Sequence, residues 1–344
     1  MAHEIQEESI KTHFKKFDVV TDFSDHFYST NKGKSGKERE CEINPSSNVA
    51  KKIMQEWKIL ENNLPEEIFV RVYEERLDLM RAVIIGAPGT PYHDGLYFFD
   101  IKFPTNYPKD PPKVYYYSHG LRINPNLYST GYVCLSLLNT WNGKSNEKWN
   151  PSGSTILQVL VSIQALVLNE RPFFNEPGMK PGWRTELPAR SYNDDVFILS
   201  CRTMMYLMKN PPRNFEALVI GHFRERAHFI LSACKAYRDG CVRVGYYEHY
   251  SASPFPTVEV SKHLKKHIDK IFADLVKSFA GIGAYLGTFS DVQSLGNSEQ
   301  KTEASKSQVV NVEVDNGAAK KEGEPKKRNF IGVFGKLRKL LKCT

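Results

Sequence analysis

Cys134 is the first candidate for chemistry, in the segment NPNLYSTGYVCLSLL that runs from Asn124 to Leu138. It follows Asn126 by eight residues, behind Asn-Pro-Asn and a Ser-Thr-Gly turn. A thiol can serve both as a nucleophile and as a leaving group, although a lone cysteine is most often a small buried hydrophobic residue. Because the segment reads as a turn, we expect the Cys134 thiol to stay reachable.

The other cysteines indicate neither a metal site nor a secreted protein. The chain has six cysteines, without a Cys-x-x-Cys pair or a His/Cys cluster at ligand spacing. Neither a zinc site nor a dense disulfide framework is therefore predicted, and a reducing compartment is the simplest location. We interpret four of them as small buried hydrophobic residues: Cys41, Cys201, Cys234 and Cys241.

Composition is that of a soluble globular protein. The 344 residues are 41% hydrophobic and 25% charged, and the net charge is +8, so we expect a core domain with extensions. The N-terminus lacks the apolar core of a secretory signal. The longest apolar run, residues 155–168, is too short and too rich in Gln and Ser to cross a bilayer. We expect a cytoplasmic protein, with a nuclear or peripheral membrane location as alternatives.

The elements that must position Cys134 follow from hydrophobic spacing. Apolar residues at helical intervals from Val49 predict an amphipathic opening helix. Four short β-rich runs within residues 68–118, separated by turn-length breaks, predict an antiparallel meander and an α+β fold. A mostly apolar segment, residues 152–170, predicts a central buried helix. Helical patterns also cover residues 194–210, 215–237 and 263–279.

These patterns divide the chain into five regions. We predict a flexible N-terminal tail over 1–48, a core with a helical continuation over 49–245, an amphipathic helical extension over 246–289, a disordered linker over 290–329 and a basic amphipathic tip over 330–344.

Several motifs, taken in order, resemble the ubiquitin-conjugating enzymes. GTPYHDGLYFFDIKFPTNYPKDPPKV resembles the signature of paired aromatic residues followed by Phe-Pro-x-x-Tyr-Pro-x-x-Pro-Pro. NPNLYSTGYVCLSLL resembles the His-Pro-Asn box with its active cysteine, and WNPSGSTILQVLVSIQALV the entry to the second helix. The sequence from Cys134 to about residue 245 is similar to the large hybrid conjugating and ligating enzymes, the group of apollon (BRUCE) and its plant relatives. This resemblance implies the ubiquitin-conjugating fold.

The resemblance also assigns roles to residues. It implies that Cys134 accepts ubiquitin from an activating enzyme as a thioester and passes it to a substrate lysine. Asn126 occupies the position of the amide that stabilises the oxyanion. Asn124 stands where most of the family has His and would support the loop. Glu176 or Asn175 is the candidate gate for the incoming lysine.

Partners and competing functions also follow from the resemblance. The expected partners are ubiquitin, the ubiquitin-activating enzyme and protein substrates, with either a separate ligase or intrinsic ligase activity. ATP is used by the activating enzyme, so no cofactor or metal is expected in this chain. The alternative is a non-catalytic ubiquitin-binding adaptor with the same fold. A third hypothesis is a scaffold that the basic end attaches to a membrane or to nucleic acid.

The C-terminal tip combines clustered Lys and Arg with Phe330, Phe334, Leu337 and Leu341 on one helical face. It predicts contact with either an acidic membrane surface, with Cys343 as a lipid site, or the nuclear import machinery. A solvated basic tail is the third interpretation.

Overall fold

The computed structural model describes residues 14–30, 41, 43–141, 143–247 and 258–289. The predicted linker, 290–329, and the basic tip, 330–344, lie outside the described residues. Within the described part of the chain, no helix has the length and apolar character needed to cross a membrane.

A five-stranded sheet forms the centre of the fold. Its strands are adjacent in sequence order: β1 (Phe17–Val20), β2 (Ile68–Tyr73), β3 (Arg76–Ile85), β4 (Leu96–Lys102) and β5 (Lys113–Tyr116). Strands β2 to β5 pair antiparallel, as the meander predicts. Strand β1 pairs parallel to β2 and was not predicted. The α+β class is therefore confirmed, with one additional, parallel strand.

Five longer helices surround this sheet: α1 (Asn48–Asn63), α2 (Ile156–Ser162), α3 (Trp183–Lys209), α4 (Glu216–Arg238) and α5 (Lys262–Gly281). Ser47 caps α1 by accepting a hydrogen bond from the Ala50 amide. Thr155 and Gln158 form a capping box at the start of α2. Helix α2 ends in a π-type turn, Ile163–Val167. The Val167 carbonyl in this turn accepts a hydrogen bond from a residue of the candidate site.

Both faces of the sheet are buried, because successive side chains of a strand point to opposite faces. In β4, Tyr97 and Phe99 belong to the core beneath α1 and α2. Leu96 and Phe98 belong to a second core formed with α3, α4 and α5. This arrangement explains the almost continuous run of apolar residues in a central strand.

The N-terminal prediction was wrong over residues 14–30. We expected a loose tail over 1–48, but this segment supplies β1 and packs on the sheet. Phe14 contacts Phe69 with ring centroids 5.7 Å apart, and the Phe27 amide donates to a buried carboxylate of Asp100 at 2.6 Å. A few aromatic residues thus provide enough buried contact to order a segment whose average composition is polar.

Candidate active site

The loop that follows β5 folds back on itself and brings Cys134 beside Asn126. The Cys134 amide donates to the Asn126 carbonyl at 2.9 Å.

Gly131 makes this return possible because its φ is +87°, in the left-handed region that favours glycine. A Cβ atom at this position would also lie 2.0 Å from the ring of Tyr115. The Ser-Thr-Gly turn of the sequence therefore needs its glycine for both backbone conformation and space.

Asn126 is hydrogen-bonded to Cys134, the residue whose reaction it is expected to assist. Its side-chain Nδ2 donates a hydrogen bond to the main-chain carbonyl of Cys134 at 2.8 Å. Its own main-chain amide donates to Oδ1 of Asn124 at 2.8 Å. An amide fixed in this way can direct its remaining N–H without first losing rotamer freedom.

Asn124 connects the loop to the end of α2. It is fully buried, and its Nδ2 donates to the Tyr92 hydroxyl and to the Val167 carbonyl, each at 2.7 Å. Val167 lies in the π-type turn that ends α2, where carbonyls lack a helical partner. Asn175 also donates to the Val167 carbonyl, at 3.2 Å. Asn124 therefore joins the loop that carries Cys134 to the end of α2.

Cys134 is less accessible than we expected. Its relative exposure is 5%, so the prediction of a reachable thiol was wrong for this conformation. Burial raises the pKa of the Cys134 thiol, while a hydrogen bond from the Tyr128 hydroxyl and the positive charge of Arg122 oppose that rise. The thiol is thus the favoured form at neutral pH.

Glu176 lies at the edge of this site. Its carboxylate is 4.0 Å from the Arg122 guanidinium and its side chain is 42% exposed. Arg122 in turn lies over the ring of Tyr128, with 4.7 Å between Cζ and the ring centroid. The structure therefore connects Glu176 to Cys134 through two intervening side chains. Asn175 instead turns back towards Val167.

Tyr128 and Arg122 are neighbours of Cys134 that the sequence did not single out. Tyr128 lies within the segment that carries Cys134, and Arg122 lies just before it. Their types alone gave no signal, because an aromatic residue and an arginine are common in exposed turns. Contact with the thiol becomes visible only once the loop is folded.

The four other cysteines within the described residues divide between the two cores and the surface. Cys201 and Cys234 are fully buried, as expected, and Cys41 is half-buried. Cys241 is exposed, so its interpretation as a buried residue was wrong. Among the described residues, no three His, Cys, Asp or Glu side chains form a group that could hold a metal ion.

Comparison with known proteins identifies the family. The sequence model described as ubiquitin-conjugating enzyme matches residues 52–184. The chain is 57% identical over 239 residues to the putative ubiquitin-conjugating enzyme E2 38 of Arabidopsis thaliana, covering 69% of this chain and 71% of that protein. This chain belongs to the ubiquitin-conjugating enzyme family. The predicted conjugating fold is confirmed with it.

Other members of the family are much longer than the region they share with this chain. The probable ubiquitin-conjugating enzyme E2 25 of Arabidopsis thaliana is 57% identical over 230 residues, which is 66% of this chain and 37% of that protein. The human protein named dual E2 ubiquitin-conjugating enzyme/E3 ubiquitin-protein ligase BIRC6 is 36% identical over 242 residues, which is 66% of this chain and 5% of that protein. The predicted similarity to plant and hybrid enzymes is confirmed.

Proposed function

We propose that this chain accepts ubiquitin from an activating enzyme as a thioester on Cys134 and transfers it to a substrate lysine. Family membership supports the general activity. The observation that carries the assignment to Cys134 is the hydrogen bond of 2.8 Å from Asn126 to its carbonyl. This bond holds a side-chain amide against Cys134.

Two acyl transfers make up the proposed reaction. In the first, the Cys134 thiolate attacks the thioester carbonyl of ubiquitin on the activating enzyme; a new C–S bond forms and the activating enzyme's thiolate leaves. In the second, a lysine amine attacks the new thioester, a C–N bond forms and the Cys134 thiolate leaves. The amine gives its proton to solvent or to a nearby base. ATP is consumed by the activating enzyme, so we propose no cofactor for this chain.

Asn126 is proposed to stabilise the oxyanion of the second transfer. Negative charge develops on the carbonyl oxygen when the amine attacks, and one fixed donor contributes a factor of roughly 10² to 10³ in rate. Asn124 is proposed to hold this donor in place, because its Oδ1 accepts the Asn126 amide. Glu176 is proposed as the gate for the lysine, since it is exposed beside Arg122.

Intrinsic ligase activity is proposed as a further part of this function. The hybrid relative carries both activities in its name. In this chain, helices α3, α4 and α5 extend the conjugating core with a second packed core. That extension supplies surface for direct contact with a substrate protein. The chain could therefore recognise its substrate without a separate ligase.

A charging assay tests the proposal. Purified chain, activating enzyme, ATP and ubiquitin should give an adduct that a reducing agent removes. Cys134→Ala should form no such adduct. Cys241→Ala is the matched control, because it removes an exposed thiol and should charge like the unmodified chain. An adduct that persists in Cys134→Ala contradicts the proposal.

A non-catalytic ubiquitin-binding adaptor is the second candidate, and the burial of Cys134 at 5% exposure favours it. An adaptor would bind ubiquitin without a covalent step. Absence of any adduct, together with binding of free ubiquitin that Cys134→Ala leaves unchanged, would support the adaptor.

A further inference from the structure

An open cleft lies between α3 and α5, and Leu121, in the loop that follows β5, also lines it. Its volume is about 660 Å³, which is within the size range of ligand pockets. Helix α3 contributes Arg202, Tyr206 and Lys209, and α5 contributes Lys270 and Asp274. Residues spaced three or four apart share one helical face, so each helix presents a single stripe to the cleft.

The floor of this cleft is apolar and adaptable. Met205 and Met208 lie on α3 and Ile271 on α5. Methionine side chains fill irregular gaps and are common on surfaces that accept varied peptides. Tyr206 is 44% exposed, and its ring stacks on His119 at 5.2 Å between centroids. Tyrosine and methionine are enriched where proteins meet.

The rim of the cleft is positively charged. Arg202, Lys209 and Lys270 form no ion pair with any carboxylate in the part of the chain that the structure describes. Asp274 is the one carboxylate that lines the cleft. An acidic partner would therefore find cations whose charge is not already neutralised.

The cleft also extends to the loop that follows β5, which carries Cys134. Leu121 lines one end of it, and Arg122, the next residue, is the cation whose charge acts on Cys134. The turn before Leu121 is fixed to the turn that precedes Cys134, because the Ser118 hydroxyl donates to the Ser129 carbonyl at 2.6 Å. A segment seated in the cleft would therefore contact Leu121, the residue that precedes Arg122.

We propose that this cleft binds an acidic segment of the substrate protein that also carries apolar side chains, and so presents a nearby lysine to Cys134. This inference rests on the proposed function. The apolar floor and Asp274 disfavour a nucleic acid. The chain's own residues 290–344 contain eleven Lys and Arg against seven Asp and Glu. That segment is therefore positively charged, like the rim, and charge repulsion disfavours it as the occupant.

Peptide binding tests the cleft independently of catalysis. The probe is a fluorescent peptide that combines Glu and Leu with one Lys, and its affinity is measured by anisotropy with the full chain. Lys209→Glu/Lys270→Glu should weaken binding about tenfold. Lys235→Glu is the control, because Lys235 is an exposed lysine on α4 outside the cleft. Equal binding by the cleft variant and the control would overturn the proposal.

Changes to the peptide give a second test that does not depend on the variants folding. Replacing Glu by Lys or Leu by Ser in the peptide should each weaken binding. Binding of a single-stranded oligonucleotide more tightly than the peptide, or binding of a peptide from residues 290–344 in its place, would overturn the choice of partner.

Transfer assays separate this inference from the proposed function. The cleft variant should charge with ubiquitin normally but raise the KM for the peptide lysine. Failure of charging in the unmodified chain would reject the proposed function while peptide binding remains measurable. Normal charging without peptide binding would reject the cleft alone.

Discussion

Asn126 donates its side-chain amide to the carbonyl of Cys134 at 2.8 Å, so the proposed oxyanion donor is attached to the residue that would carry the thioester. A second hydrogen bond runs in the opposite direction, from the Cys134 amide to the Asn126 carbonyl at 2.9 Å. Two hydrogen bonds therefore hold Asn126 to the main chain of Cys134.

Asn126→Ala should charge at a normal rate but discharge to free lysine roughly 10² to 10³ times more slowly. The reason is that charging exchanges one thiolate for another, whereas discharge is the attack of an amine, the step in which Asn126 is proposed to stabilise the oxyanion. Single-turnover discharge followed on a non-reducing gel measures the effect. An unchanged rate would remove Asn126 from the mechanism.

Asn124→Ala should lower the free energy of unfolding by about 1–3 kcal/mol, because it removes the Asn124 donor from the buried Tyr92 hydroxyl and one of the two side-chain donors from the Val167 carbonyl. Urea denaturation measures the change. Asn62→Ala is the control, since Asn62 is exposed and bonds only to a carbonyl one turn away. Equal effects of the two substitutions would contradict the support role.

Tyr128→Phe should move the pH dependence of charging to higher pH. The Tyr128 hydroxyl opposes the rise in the pKa of Cys134, so its removal raises that pKa further and decreases the thiolate present at neutral pH. Charging rates measured across a pH series give the shift. Tyr132→Phe is the control at an exposed neighbour, and a shift of the same size there would contradict the assignment.

Arg81→Met should destabilise the fold by about 3–5 kcal/mol, because it leaves the buried carboxylate of Asp100 uncompensated. Arg81 also contacts Asp25 at 2.7 Å, so amide exchange across residues 14–30 should accelerate. Hydrogen-exchange measurements on residues 14–30 detect this faster exchange. The double variant Arg81→Met/Asp100→Leu should recover part of the stability, and no recovery would contradict the buried-pair explanation.

Sequence spacing predicted the meander, the central helix and the cysteine loop, because strand and helix periods follow from which faces are buried. It missed β1, since four residues of a polar segment carry little periodic signal. It placed Asn124, Asn126 and Cys134 in one loop but could not reveal the burial of the thiol. It also could not reveal that Tyr128 and Arg122 act on the thiol, because these side chains approach it only in the folded loop.

The most direct measurement of the central claim is mass spectrometry of the charged protein. The account predicts one ubiquitin adduct on the peptide that contains Cys134, removed by a thiol reagent. In Cys134→Ser the adduct should become an ester that resists the thiol reagent and is cleaved by mild base. An adduct found on another cysteine, or none on Cys134 when the activating enzyme is fully charged, would contradict the account.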